Sequence, residues 1–168
     1  MRVRGASIAL ALALAAGAAL WITLAPAWRQ RPGHPAPALV MPLLGGGRLS
    51  LAQQRGHAVL IDFWAPDCVP CVAELPRFER LARAAGPRFT LIGVAMSYSD
   101  PHAIRVVAAR AGITYPLAWD RDGRIAQAFG VRVTPTQILI GADGRIQARV
   151  EGGLAAPLLR QMLAAGSG

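Results

Sequence analysis

The feature that most constrains this chain is an apolar run that leads directly into its only two cysteines, Cys68 and Cys71. The run spans residues 58–64, and residues 72–85 after the cysteines are compatible with a helix. This order predicts a buried strand, a tight turn and a helix. The unpaired backbone N–H groups at the start of a helix stabilise a thiolate over a thiol. Cys68 is therefore predicted to be an exposed nucleophile, and Cys71 the thiol that resolves a mixed disulfide.

Two other uses of a C-x-x-C pair compete with this interpretation. A structural zinc ion needs about four ligands, and no second cysteine or histidine pair follows in the sequence. An inert disulfide that closes so short a loop would stabilise the fold little. The pattern therefore favours redox chemistry, and no metal site is predicted.

Length and charge limit the remaining possibilities. The chain has 168 residues, enough for one domain with its own core. Its formal net charge is +9, and it contains arginine but no lysine. The arginines are scattered, without a basic run or interleaved aromatic residues, so a nucleic-acid groove is not predicted. A basic surface still suits acidic partners or anionic lipid.

The first 29 residues are typical of an export signal. No charged residue occurs between Arg4 and Arg29, a length that is just sufficient to cross a bilayer as a helix. The triplet at 25–27 resembles a cleavage site, so a retained signal anchor and a cleaved signal peptide both remain open. Residues 30–37 are rich in proline and predict an extended tether. The globular domain is expected to span residues 38–168.

Within this domain, apolar runs alternate with helical patterns. Two short strands, 38–44 and 48–51, are predicted on either side of a glycine turn. Further strands are predicted at 89–95, 115–119, 136–140 and 145–150. Helices are predicted at 100–111, in a short segment ending at 129, and at 156–165. The expected fold class is α/β, with a central mixed sheet flanked by helices.

Two segments of this pattern resemble the thioredoxin superfamily: Asp-Phe-Trp-Ala at 62–65, ahead of Cys68, and Thr-Pro-Thr at 134–136. More closely, residues 36–165 are similar to the membrane-anchored TlpA/ResA/DsbE group of thiol-disulfide oxidoreductases. The similarity includes the N-terminal hairpin and a C-x-x-C-x-x-E-x-P pattern at 68–76. The resemblance implies a thioredoxin-like fold with an extra N-terminal β-hairpin. It also implies a location in the bacterial periplasm or on the extracytoplasmic face, with the protein anchored to the inner membrane.

The resemblance also assigns a substrate-binding surface. Pro135 matches the family's cis-proline, which lies beside the disulfide and lets the neighbouring backbone pair with a substrate strand. Thr134 is then the residue that packs nearest the cysteine pair, and Trp64 is placed at the same surface. Family members often carry tryptophan immediately before the first cysteine, whereas this chain has Asp67, whose negative charge opposes a thiolate at Cys68.

Two carboxylates are candidates for proton transfer and electrostatic tuning. Asp62 interrupts an apolar strand, so burial should raise its pKa and allow it to shuttle a proton to or from Cys71. An aspartate with water access at a strand end is the alternative. Glu74 lies one helical turn beyond Cys71, where it could tune the thiols or simply be a solvated helix residue.

The resemblance implies an enzyme that reduces disulfides in exported proteins through its own redox-active disulfide, without another cofactor. It would draw electrons from a membrane donor of the DsbD/CcdA type, and cytochrome c or oxidase biogenesis would be its setting. Residues 130–136 lack the Gly-Ala-Pro-Glu pattern of dedicated cytochrome c maturation members, which favours a general reductase. The alternatives are a disulfide-donating oxidase, a peroxide reductase and a Cu(I) metallochaperone that uses the same cysteines. A metallochaperone would need a further soft ligand, and Met96 is the next methionine after the motif.

Overall fold

The structure, a computed structural model, describes residues 32–87 and 89–153. The predicted export signal at 1–29 and the predicted final helix at 156–165 lie outside the described residues. Within the described ranges, no helix has both the length and the apolar character needed to cross a membrane.

The described chain forms seven strands and three α-helices. The strands are β1 (Val40–Pro42), β2 (Arg48–Ser50), β3 (Ala58–Trp64), β4 (Phe89–Ala95), β5 (Leu117–Trp119), β6 (Thr136–Ile140) and β7 (Ile146–Glu151). The helices are α1 (Val69–Ala84), α2 (Pro101–Arg110) and α3 (Arg124–Phe129), and a short 3-10 turn covers Leu51–Gln54. The predicted elements that fall on described residues are therefore present, with ends that differ by a few residues.

The strands form a two-stranded antiparallel hairpin, β1–β2, and a five-stranded sheet in the order β5-β4-β3-β6-β7. β3 lies at the centre, parallel to β4 and antiparallel to β6. All seven β3 residues are buried, as expected of a strand that is covered on both faces. The predicted mixed sheet and the predicted N-terminal hairpin are confirmed.

Helices cover both faces of this sheet. Side chains of α1 and α2, among them Cys71, Leu75 and Ile104, pack with Trp64 against one face. The other face packs against α3 and the hairpin, through a cluster that includes Phe129 and Met41. Because successive strand residues point to opposite faces, Leu60, Asp62 and Trp64 all point towards α1. Asp62 is therefore on the face that also carries Cys71.

The C-x-x-C helix begins at Val69, three residues earlier than its apolar pattern indicates. Cys68 is its N-cap, and Pro70 lies in the first turn, where a missing backbone N–H costs no hydrogen bond. The helix start predicted at Asp100 is confirmed, since this carboxylate accepts hydrogen bonds from the backbone N–H groups of His102 and Ala103.

Part of the segment predicted as a tether is bound to the domain. The N–H of Gly33 donates to the carbonyl of Ile146 at 2.7 Å, and the N–H of Ala36 donates to that of Gly144 at 2.9 Å. The N–H of Ile146 donates in return to the carbonyl of His34 at 2.8 Å. Residues 33–36 therefore extend the start of the fold, because the backbone at the beginning of β7 offers them hydrogen-bond partners.

Candidate active site

The two cysteines form a disulfide at the amino end of α1. Their sulfurs are 2.02 Å apart, and their Cα atoms are separated by 5.2 Å. The sulfur of Cys68 also accepts a hydrogen bond from the backbone N–H of Cys71 at 3.3 Å. This is the contact expected of a helix N-cap, and it would stabilise negative charge on Cys68 once the disulfide is opened.

The two sulfurs differ in accessibility. Cys71 is 1% exposed and packs against Trp64 and Leu75, whereas Cys68 is partly exposed. Val69, which follows Cys68, is 79% exposed. An incoming thiolate or disulfide can therefore reach Cys68, while Cys71 is shielded by the core.

The loop before β6 lies at the same edge of the sheet as the disulfide. The peptide bond between Thr134 and Pro135 is cis, as the family resemblance implies. Thr136 pairs with Phe63 in the antiparallel register of β3 and β6, so Pro135 lies beside the end of β3. The same strand end leads into Cys68, and the cis-proline loop and the disulfide are thereby placed next to each other.

Tyr98 contributes a contact that the sequence patterns did not predict. Its hydroxyl oxygen is 3.4 Å from the Thr134 hydroxyl oxygen. Tyr98 follows β4 and Thr134 precedes β6, and these strands are separated in the sheet by β3. The contact therefore passes over the end of β3, at the edge that carries the disulfide. An aromatic residue between two serines, at positions 97–99, is the only sequence signal that could have indicated it.

Asp62 is buried at the centre of the sheet, with 1% of its surface exposed. Its partner in the adjacent strand β6 is Gln137, whose Nε2 donates a hydrogen bond of 2.8 Å to Asp62 Oδ1. Its partner in β4, the strand on the other side, is Gly93. A Cβ added at Gly93 would approach Leu117 Cδ2 to 2.5 Å and Trp64 Nε1 to 3.3 Å. The glycine thus lets Trp64 and Leu117 close over this part of the sheet.

Burial raises the pKa of Asp62 from its ordinary value of 3.8 to about 7. The hydrogen bond from Gln137 acts in the opposite direction, and the nearby charge of Glu74 raises the pKa further. The carboxyl therefore changes its protonation near neutral pH, as a group that exchanges protons with a thiol must.

The other predicted residues occupy different environments. Glu74 is half-buried on α1, near enough to Asp62 to influence its pKa, and an added Cβ at Gly153 would lie 3.4 Å from Glu74 Oε1. Trp64 is fully buried and packs under the disulfide, so its ring supports the site from within the core and presents no surface to a docked protein. Asp67 is exposed beside Cys68.

Gln137 is a second residue that the sequence analysis missed. It is fully buried within β6, whose other central residues are apolar. A polar side chain in such a strand needs a partner, so its alignment with Asp62 in the neighbouring strand was the available signal. Met96 packs in the cluster on the opposite face of the sheet from Cys71 and supplies no third soft ligand there. Among the described residues, no group of three or more His, Cys, Asp or Glu could hold a metal ion.

Known proteins share both the sequence and the fold. Residues 32–149 match the AhpC/TSA family. The thiol-disulfide oxidoreductase ResA of Geobacillus thermodenitrificans is 30% identical over 135 residues, which cover 78% of this chain and 75% of that protein. A secreted Mycobacterium tuberculosis disulfide oxidoreductase homologous to E. coli DsbE has a TM-score of 0.68 at 26% identity, covering 76% of this chain and 96% of that one.

A thioredoxin-family thiol:disulfide interchange protein from Chlorobium tepidum has the same fold, with a TM-score of 0.73 at 24% identity. The match covers 82% of this chain and 98% of that one. The thioredoxin-like fold, the disulfide at the start of α1 and these relatives agree with one another. The chain belongs to the AhpC/TSA family of thioredoxin-like proteins, among the ResA-like thiol-disulfide oxidoreductases.

Proposed function

We propose that this protein is an extracytoplasmic reductase of disulfides in exported proteins. The observation that carries the proposal is the asymmetric pair at the amino end of α1, in which Cys68 is partly exposed and Cys71 is 1% exposed. An accessible sulfur beside a shielded one suits a two-step exchange, because the first sulfur must meet a partner and the second must reach only its neighbour.

In the reducing direction, the thiolate of Cys68 attacks a substrate disulfide. A bond forms between Cys68 and one substrate sulfur, and the other substrate sulfur leaves as a thiolate and takes a proton from water. Cys71 then loses its proton and attacks Cys68, which forms the intramolecular disulfide and releases the second substrate thiolate. The substrate gains two electrons from the cysteine pair, and its two thiolates take their protons from water; the only proton that leaves the cysteine pair is that of Cys71.

Asp62 is proposed to accept the proton that Cys71 loses. It points to the face of the sheet on which Cys71 packs, and its pKa of about 7 lets it take up and release a proton near neutral pH. Glu74 is proposed to tune this exchange through its charge, which favours the protonated form of Asp62. When the enzyme is reduced again, Asp62 returns the proton to the Cys71 sulfur.

The substrate is proposed to dock as an extended segment around its own cysteine. Three of the large apolar side chains that are exposed in the described part of the chain lie at this edge: Val69 at 79%, Tyr98 at 62% and Val133 at 50%. Thr134, half-buried next to the cis-proline, would present backbone groups to the segment. Apolar contacts around a backbone-pairing edge would accept many sequences, as a general reductase requires.

The location and the electron source are also proposals. A domain that follows an apolar segment with flanking arginines suits the outer face of the inner membrane. The structurally similar disulfide oxidoreductase of Mycobacterium tuberculosis is a secreted protein. Since the compartment outside the cytoplasm is oxidising, a membrane donor of the DsbD/CcdA type would have to return electrons to the pair.

The division of roles between the cysteines can be tested by trapping. In the full-length chain, Cys71→Ser should accumulate a mixed disulfide between Cys68 and a reducible protein such as insulin, because resolution is blocked. Cys68→Ser is the matched control and should trap nothing, since Cys71 is shielded. Equal trapping by both variants would contradict the assignment of Cys68 as the nucleophile.

The direction of exchange can be tested by the equilibrium redox potential of the full-length chain, titrated against glutathione or dithiothreitol. A reductase is expected to have a potential near or below about −220 mV, in the range of glutaredoxins and thioredoxin. A value near about −120 mV, as for a strong oxidant, would instead identify a disulfide donor.

A further inference from the structure

Gln137 and Asp62 form a buried polar pair in the centre of the sheet. They are direct partners in the register of β6 and β3, and both are almost completely buried. The amide Nε2 donates to the carboxyl Oδ1 at 2.8 Å. Directly opposed residues on one face of an antiparallel pair are close enough for their side chains to act on each other.

The arrangement is not the one that would make the sheet most stable. The remaining polar atom of each side chain, Oδ2 of Asp62 and the carbonyl oxygen Oε1 of Gln137, is buried without a hydrogen-bond partner among the described residues. Unpartnered buried polar atoms destabilise a fold, and apolar residues of similar size would avoid that cost. The pair therefore calls for an explanation other than packing.

We propose that Gln137 is a positioning residue for proton transfer, whose amide fixes the orientation of the Asp62 carboxyl and stabilises the carboxylate that remains after its proton has left. The inference rests on the proposed role of Asp62. When a thiolate attacks Cys68, the bond between the two cysteine sulfurs breaks and its electron pair stays on Cys71. A proton passes from the neutral Asp62 to that sulfur. The resulting carboxylate then receives a charge-assisted hydrogen bond from Gln137, which is stronger than the bond to the neutral acid.

The other titratable groups around Asp62 leave this role to Gln137. From α1, the charge of Glu74 favours the protonated carboxyl, and the Cys71 sulfur is the proposed exchange partner. Ahead of β5, burial and then the charges of Asp62 and Glu79 raise the pKa of Tyr115 above its ordinary 10.0, so this phenol stays neutral. From β4, Asp62 faces Gly93, which has no side chain. Gln137 is thus the group identified as lowering the pKa of Asp62.

The test compares four full-length proteins: wild type, Gln137→Met, Asp62→Asn and the double variant. The rate at which dithiothreitol reduces the Cys68–Cys71 disulfide is measured by thiol labelling from about pH 5 to about pH 9, the range that brackets the Asp62 titration. Dividing each rate by that of Asp62→Asn at the same pH removes the ionisation of dithiothreitol. Since this reagent reduces the pair whichever direction the protein favours in the cell, failure of the reductase proposal would leave the result unaffected.

Loss of the amide should raise the midpoint of the Asp62-dependent step by about one pH unit, because the carboxylate loses its hydrogen bond. Adding Gln137→Met to Asp62→Asn should change nothing. Gln147→Met, which removes a half-buried amide from β7, is the matched control and should keep the wild-type midpoint. An unchanged midpoint in Gln137→Met, or an equal change of rate in the Asp62→Asn background, would overturn the proposal.

A measurement on the wild type needs no variant to fold. The side-chain amide resonances of Gln137 should shift with pH at the same midpoint as the Asp62 carboxyl resonance, because the strength of their hydrogen bond changes with protonation. Amide resonances that do not move through that midpoint would overturn the proposal.

Discussion

Asp62 and Asp120 are buried to the same extent, each with 1% of its surface exposed, yet their surroundings differ. Both oxygens of Asp120 accept backbone hydrogen bonds at the start of α3, from Ile125 at 2.9 Å and from Ala126 at 2.8 Å. Asp62 accepts one hydrogen bond, from the Gln137 amide, and its second oxygen has no partner among the described residues. Asp120 resembles a helix cap, whereas Asp62 lies in the middle of a strand.

The difference shows that donors, more than burial, decide what a buried carboxylate does. Glu79 supports this view, because it accepts hydrogen bonds from the backbone and the hydroxyl of Thr114 at 2.7 and 2.6 Å, and from Arg83 at 2.5 Å. A carboxylate with several donors is stabilised in its charged form and fixes a loop or a helix end. Asp62 lacks that support, so burial dominates and its pKa rises to about 7.

The largest expected effect concerns stability and pH. The pKa of Asp62 is about 7 in the folded protein against an ordinary 3.8, so the folded carboxyl keeps its proton in a range where the unfolded one releases it. Its contribution to the free energy of unfolding is therefore full below about pH 4 and falls by up to about 4 kcal/mol as the pH rises to about 7. Denaturant unfolding of oxidised wild type and Asp62→Asn should show this difference, and parallel pH profiles would contradict it.

The second effect separates the two aspartates by chemistry. At about pH 6, Asp62→Asn should slow reduction of the disulfide by dithiothreitol about 100-fold, because the leaving Cys71 sulfur loses its proton donor. Asp120→Asn should leave the rate within about threefold of wild type, because that residue lies outside the proton path. Similar rates for the two variants would show that Asp62 has no special role.

The third effect is a loss of stability at Asp120 without a loss of reaction rate, the opposite of the effect on the rate expected at Asp62. Asp120→Ala should lower the free energy of unfolding by about 2 kcal/mol, since two buried N–H groups at the start of α3 lose their acceptor. The rate of disulfide reduction by the folded fraction should stay at the wild-type value. If thermal or denaturant unfolding were unchanged, Asp120 would not be the structural carboxylate described above.

The smallest effect is expected at Glu79. Glu79→Gln removes the ion pair with the mostly exposed Arg83. It also replaces one carboxylate oxygen with an amide nitrogen, which cannot accept a hydrogen bond from Thr114. The cost should be about 1 kcal/mol of unfolding free energy, with disulfide exchange unaltered. Slower disulfide exchange would instead show that Glu79 affects the active site, for example because its charge raises the pKa of Tyr115.

The elements of the fold could be predicted because local signals agree with their burial. The apolar run at β3 predicts a buried strand, and the Asp-Pro sequence at the start of α2 predicts a helix N-terminus, each from neighbouring residues alone. The start of α1 beside Cys68 was also predicted, although its helix-compatible apolar run begins only at residue 72, because proline within the first turn interrupts that run without interrupting the helix. The pairing of residues 33–36 with the start of β7 is a contact between distant segments, and no local signal encodes it.

The site was only partly predictable for the same reason. Cys68 and Cys71 lie in one short motif, and the cis form of Pro135 was implied by resemblance, as the structure has it. Gln137 and Tyr98 were missed because their partners are distant in sequence. Asp62 is 75 positions from Gln137 and Thr134 is 36 positions from Tyr98, and only the arrangement of the strands brings each pair together. The register also places Trp64 under the disulfide in the core, whereas the resemblance had placed it at the substrate surface.

The most direct test of this account is the titration of the Asp62 carboxyl carbon by NMR in the oxidised full-length chain, with Asp62→Asn used to assign the resonance. A midpoint of about 7 is predicted, because burial outweighs the single hydrogen bond from Gln137. A midpoint near about 4, the value of a solvated aspartate, would show that Asp62 is charged at neutral pH and cannot carry the proton of Cys71.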